Sequence, residues 1–136
     1  MIQNFLIDIS TKYDLVGLLG SGSYGSVYKY KNRDTDIIYA AKVSKNECIS
    51  TEQQKNFFTE VVTLSKATNP AILPFYGFNL RGLQMAPNPT IILKYLPKGS
   101  LEKVLQLEPD LQLSKRYLIL LGIAEGMKYL HSIKIA

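Results

Sequence analysis

Gly20, Ser21, Gly22, Ser23, Tyr24 and Gly25 spell G-x-G-x-x-G. That spacing lets backbone N–H groups approach phosphate oxygens, because no Cβ stands in the way. Two kinds of nucleotide fold use the spelling, and the residues after the third glycine separate them. In a dinucleotide-binding fold that glycine opens a helix whose N-terminus holds the pyrophosphate. Here Ser26, Val27, Tyr28, Lys29 and Tyr30 follow, a β-branched and aromatic run that reads as a strand. The glycines therefore sit at the tip of a hairpin. No Gly-Lys-Ser/Thr follows, which excludes the Walker-type phosphate loop. Taken alone, the segment also fits an ordinary Gly/Ser hairpin turn.

Lys42 and Glu60 narrow the choice. Ile38, Ala40 and Lys42 share one face of a strand, since strand neighbours alternate. A small residue beside a lysine leaves room for a flat ring while the ammonium reaches toward phosphates. A lysine on such a strand can equally be solvated. Glu60 falls on the helical stripe of Phe57, Val61 and Leu64, where a carboxylate is costly unless it meets a cation. Lys42 is the cation available; the alternative is a glutamate at the rim of the stripe, facing water. Leu64 reads as core.

These residues need elements to position them. Residues 13–43 read as short strands joined by tight turns: apolar alternation at Tyr13, Leu15, Gly17 and Leu19, then 27–30 and 37–40, broken by Gly/Ser and by Asn32-Arg33-Asp34-Thr35-Asp36. The period then becomes helical. Ser50 or Thr51, with Gln53 or Gln54 three residues on, predicts a capping box, and Asn69-Pro70 predicts the helix end. Two further strands are expected over 72–80 and 90–96, around a loop with Gly82, Pro87, Asn88 and Pro89. Ser100 caps a short helix to about Leu107, and Ser114 is expected to cap a long one running past Tyr117, Leu120, Leu121, Ala124, Met127, Tyr129, Leu130 and His131. Five strands and one helix followed by helices make an α+β chain, with a second lobe beginning near Pro97.

Composition sets the bounds. The 136 residues are 46% apolar and carry sixteen Lys plus Arg against eleven Asp plus Glu, a net +5. Charge-extended disorder is excluded. No apolar run is long enough to span a bilayer, and residues 1–8 show no basic leader of a secretory signal. Cys48 is the lone cysteine; it allows no internal disulfide, argues against a Cys-based zinc site, and points to a reducing, cytoplasmic setting. The cations are scattered from Lys12 to Lys134. Lys29, Lys31 and Arg33 alternate along one strand beside Asp34 and Asp36, which does not read as a nucleic-acid groove.

Leu19-Gly20-Ser21-Gly22-Ser23-Tyr24-Gly25-Ser26-Val27-Tyr28-Lys29, then Tyr39-Ala40-Ala41-Lys42, then Phe57-Phe58-Thr59-Glu60-Val61 resembles the opening of a eukaryotic protein kinase domain. Residues 69–78 resemble the segment after that family's αC helix, 91–101 its strand, hinge and short helix, and Tyr129-Leu130-His131-Ser132 the end of its long αE helix. The likeness spans 13–136 and is nearest in flavour to the tyrosine-kinase-like group of serine/threonine kinases. It implies an N-lobe over 13–96, with a five-stranded antiparallel sheet, αC and the hinge. A truncated C-lobe start (αD and αE) would cover 97–136, and 1–12 would be an N-terminal extension.

The resemblance also assigns roles in binding ATP. Leu19, Val27 and Ala40 would roof the adenine, and the loop Gly20 to Gly25, with Tyr24 at its tip, would cover the phosphates. Lys42 would hold the α- and β-phosphates and pair with Glu60. Leu93 would be the gatekeeper. In the hinge of Lys94, Tyr95 and Leu96, the Lys94 carbonyl and Leu96 amide would bond the adenine edge; Lys94 stands where such kinases often carry Glu.

The family's catalytic His-Arg-Asp and metal-binding Asp-Phe-Gly do not occur. No Asp follows Asp110, and the only histidine, His131, precedes Ser132 and reads as a packed or hydrogen-bonded helix-end residue. No catalytic residue and no Mg²⁺ ligand is therefore expected within these residues, although the family uses Mg²⁺ and protein substrates. The chain reads as an inactive fragment. Its final helix would expose Leu120, Leu121, Ala124, Met127 and Leu130, a face open to self-association or to a partner. The other reading is a non-catalytic, kinase-like module that binds nucleotide or protein to regulate.

Overall fold

Side-chain alternation along five strands decides which residues meet. A computed structural model describes residues 2–47 and 50–135; Cys48 lies outside the described residues. The strands are β1 (Tyr13–Gly22), β2 (Gly25–Asn32), β3 (Ile38–Ser44), β4 (Phe75–Asn79) and β5 (Thr90–Lys94). They form one antiparallel sheet in the order β1-β2-β3-β5-β4. Cross-strand partners such as Val27, Lys42 and Ile91, or Ala40 and Leu93, lie on a common face.

The two faces have separate cores. On one, Tyr30, Ala41 and Ile92 pack with Ile9 and Tyr13, flanked by Tyr28, Tyr39 and Val43. On the other, Phe78 and Ile91 pack against Phe57 and Val61 of the first helix, α1 (Thr51–Lys66). Phe78 meets both Phe57 and Phe58 edge-on at 6.0 Å. Between two of the options at its start, the helix takes Ser50 with Gln53. The Gln53 amide donates to Ser50 Oγ at 3.1 Å and the Ser50 amide to Gln53 Oε1 at 3.4 Å, a reciprocal capping box.

Two compact units result: residues Met1–Lys66 with Pro74–Tyr95, and Ala67–Leu73 with Leu96–Ala136. The second contains α2 (Leu101–Leu107) and α3 (Leu113–Ser132). Ser100 caps α2, its hydroxyl accepting the Lys103 amide at 3.2 Å. Gly126 of α3 sits against Ala71 and Ile72, where an added Cβ would come 3.3 Å from the Ala71 Cβ. Leu120, Leu121, Ala124 and Met127 are exposed, as are Tyr117, Leu118 and Ile123; Leu130 is half-buried. Among the described residues no helix is long and apolar enough to cross a membrane.

Several boundaries differ from expectation, each for a visible reason. α1 stops at Lys66, before Asn69-Pro70: the Thr68 amide donates to the Tyr129 hydroxyl at 2.9 Å and not back into the helix. The strand expected over 72–80 begins only at Phe75, because the Ile72 amide closes a turn onto the Asn69 carbonyl and Pro74 has no amide. β5 ends at Lys94, short of Leu96. Ser114 is not the cap of α3. Gln112 is, without a side-chain bond, and Arg116 holds that end through the Pro109 and Leu111 carbonyls at 2.9 Å each. His131 is exposed, not packed, since it lies one turn beyond Met127 on the same bare side of α3.

Candidate functional site

The hairpin of β1 and β2 turns at Ser23 and Tyr24, with Gly22 paired to Gly25. Gly25 has φ +134°, and a Cβ there would lie 2.1 Å from the Val43 carbonyl oxygen and 2.6 Å from the Lys45 nitrogen. Only glycine fits. The third glycine thus seats the hairpin against the end of β3, and a strand runs on from it. Around Gly20 the space is open, with no atom within 4 Å of where a Cβ would stand.

Lys42 and Glu60 meet. Lys42 Nζ donates to Glu60 Oε1 at 2.6 Å across the gap between β3 and α1. Side-chain exposures of 31% and 42% place the pair at the rim of the apolar stripe and not within it. Glu60 thus borders water and is paired as well. Exposed pairs of this kind contribute little to stability, about 0–1 kcal/mol. Their value is in orientation. Lys42 Nζ also stands 5.4 Å from the centre of the Tyr24 ring, so the ammonium is held between a carboxylate and an aromatic face.

Strand alternation puts Val27, Ala40, Lys42 and Leu93 on the α1-facing side of the sheet. Ala40 is buried, and Val27 and Leu93 are half-buried. Leu19 is exposed on β1, as are Ser21 and Ser23 in the hairpin. Lys94 ends β5, its amide donating to the Pro74 carbonyl at 3.0 Å, and Lys29 lies 5.0 Å from the Tyr95 ring centre. Leu96 belongs to the second unit, where its carbonyl accepts the Gly99 amide.

A cavity of about 230 Å³ opens beside the bridge, lined by Tyr24, Lys42, Glu60, Phe57 and Ile91 together with Ser44, Asn46, Glu47, Gln53, Asn56 and Pro89. Sequence reasoning did not single out its polar wall. The run of Ser44, Asn46 and Glu47 after a lysine-bearing strand was the signal available. Among the described residues no three His, Cys, Asp or Glu side chains converge as a metal site. The residues present fit a nucleotide: an open glycine hairpin, a half-wet ammonium with N–H groups beyond the one given to Glu60, and an apolar face with small Ala40 at its centre.

Comparison with known proteins identifies a family. The family model described as "Protein kinase domain" matches residues 13–136. The chain is similar to L-type lectin-domain containing receptor kinase IV.1 of Arabidopsis thaliana, 33% identical over 117 residues, covering 85% of this chain and 16% of that protein. It is likewise 32% identical over 133 residues to serine/threonine-protein kinase 10-A of Xenopus laevis, covering 95% of this chain and 13% of that one. PR5-like receptor kinase of Arabidopsis thaliana is 30% identical over 117 residues, with coverage of 85% and 16%. The chain spans only about a sixth or less of the length of these curated relatives.

Proposed function

Since the chain belongs to the protein kinase family, carrying the N-terminal part of that domain, we propose that it is the ATP-binding portion of a protein serine/threonine kinase. The 2.6 Å contact of Lys42 with Glu60 carries the proposal: it fixes an ammonium beneath a hairpin that only glycine at position 25 allows. Leu19, Val27, Ala40 and Leu93 would enclose the adenine. Lys94 and Leu96 would bond its edge through backbone groups, and Lys42 would neutralise phosphate oxygens. Residues 13–96 would be the N-lobe, 97–136 the start of the C-lobe, and 1–12 an extension ahead of them. A cytoplasmic location follows from the kinase reading and the lone Cys48.

ATP supplies the transferable γ-phosphoryl group. What these residues do is bind and orient it. Phosphoryl transfer depends on positioning and on stabilising developing negative charge, and no Asp follows Asp110 to complete that apparatus. The 136 residues alone are thus expected to bind nucleotide without transferring phosphate. ATP titration followed by thermal shift should raise the melting temperature of the chain, and Lys42→Ala should remove most of the rise. No shift with the unaltered chain would overturn the reading. A second reading, a non-catalytic module that binds nucleotide or protein to regulate, would keep the same glycine hairpin, Lys42 and Glu60. Radiolabelled transfer above background, lost in Lys42→Met, would eliminate it.

A further inference from the structure

We infer that residues 2–9, which lie ahead of the segment matched by the kinase family model, form a strap that seats α1 and so positions Glu60 for Lys42. The inference rests on the kinase reading for its consequence, but not for its geometry. β4 is one of the two edge strands of the sheet, and an open edge of this kind is normally covered. The strap covers it. Leu6 bridges to Phe78 in parallel, the Ile7 amide donates to the Phe78 carbonyl at 3.1 Å, and Asn79 Nδ2 donates to the Ile7 carbonyl at 2.7 Å.

In crossing that edge the strap joins the two cores. Ile9 is fully buried in the tyrosine-rich core, with Ile7 packed against it, whereas Ile2 and Phe5 pack with Phe57, Val61, Phe78 and Ile91. Phe5 stacks 5.0 Å from Phe75. Gly77 is the seat: an added Cβ would come 2.7 Å from Ile7 Cδ1 and 2.8 Å from the Phe5 carbonyl oxygen. α1 itself packs chiefly on β4 and on the Ile2–Phe5 turn. The strap therefore supplies part of its support. Glu60 is next to Val61 on that helix, so a shift of α1 moves its carboxylate away from Lys42, whereas Lys42 is held by β3 within the sheet.

Hydrogen–deuterium exchange of the full chain tests this without any nucleotide. Phe5→Ala should speed exchange of α1 amides about tenfold while β2 and β3 amides stay as they were, and Phe5→Leu should restore protection. Fluorescent mant-ATP should bind Phe5→Ala more weakly than the unaltered chain. In a Glu60→Gln background Phe5→Ala should add no further loss, a coupling that a merely stabilising role would not produce. Unchanged α1 exchange in Phe5→Ala overturns the inference. If Phe5→Ala loosens the whole sheet, Asn79→Asp, which removes the donor to the Ile7 carbonyl but keeps the oxygen that accepts the Arg81 amide, decides: α1 loosening alone supports the strap, and uniform loosening refutes it. Failure of mant-ATP to bind the unaltered chain, with α1 still responsive, would sink the nucleotide reading and leave the strap standing.

Discussion

In the sheet unit Ile9, Ala41, Val61 and Ile92 have no exposed surface at all, whereas α2 buries no residue and α3 buries only Gly126. Both regions are rich in apolar side chains. They differ in what lies opposite. Each face of the sheet has a complementary layer, the strap and Tyr13 on one side and α1 on the other. Leu118, Leu120, Leu121 and Ile123 of α3 have no such layer within the described chain. The unit that holds Lys42 and Glu60 therefore has the contacts to keep its own geometry, while the helical unit leaves its apolar side chains in solvent.

Substitutions should fall out accordingly. Ile92→Ala, in the closed core, is expected to cost about 2–5 kcal/mol in urea denaturation; a value well under 1 kcal/mol would break the contrast. Gly25→Ala forces a side chain into the left-handed region and onto the Val43 carbonyl, with an expected loss of about 1–3 kcal/mol by the same measurement. Alkaline titration sharpens the sheet side further. Burial, with Tyr28 adding to it, pushes the Tyr30 hydroxyl up to about 12 from an ordinary 10.0, and burial raises Tyr13 as well. Raised values mean that the fold disfavours the tyrosinate, so this stability is intact below pH 10 and is lost as pH climbs through 12. Tyr30→Phe should flatten that decline, by up to about 1.4 kcal/mol per pH unit. Smallest of all, Leu121→Ala on the open face of α3 should change stability by no more than about 0.5 kcal/mol. Sedimentation should show less self-association than the unaltered chain.

Legibility in the sequence tracked the range of the interactions. The Ser50–Gln53 box, the Ser100 cap and the glycine hairpin were readable because their partners are three residues apart or fewer. The meeting of Lys42 with Glu60 was readable too, since a period of two and a period of 3.6 each aim one side chain. Bonds closed by distant groups were not. Tyr129 takes the amide of Thr68, 61 positions earlier in the chain and just past the end of α1. Arg116 replaces a serine cap by reaching back to two carbonyls. The strap did leave a trace, the alternating Phe5, Ile7 and Ile9, but a strand without a hairpin partner in sequence gives no hint of the edge it will cover. Tyr24 was expected at the loop tip; that its ring would lean over Lys42 depends on the curl of the hairpin.

The wetness of the Lys42–Glu60 contact, with about a third or more of each side chain in solvent, means that dissolved ions reach it while the cores stay dry. Rising ionic strength should slacken the aim of the ammonium long before it threatens the sheet, so grip on a charged ligand and thermal endurance would part company as salt is added.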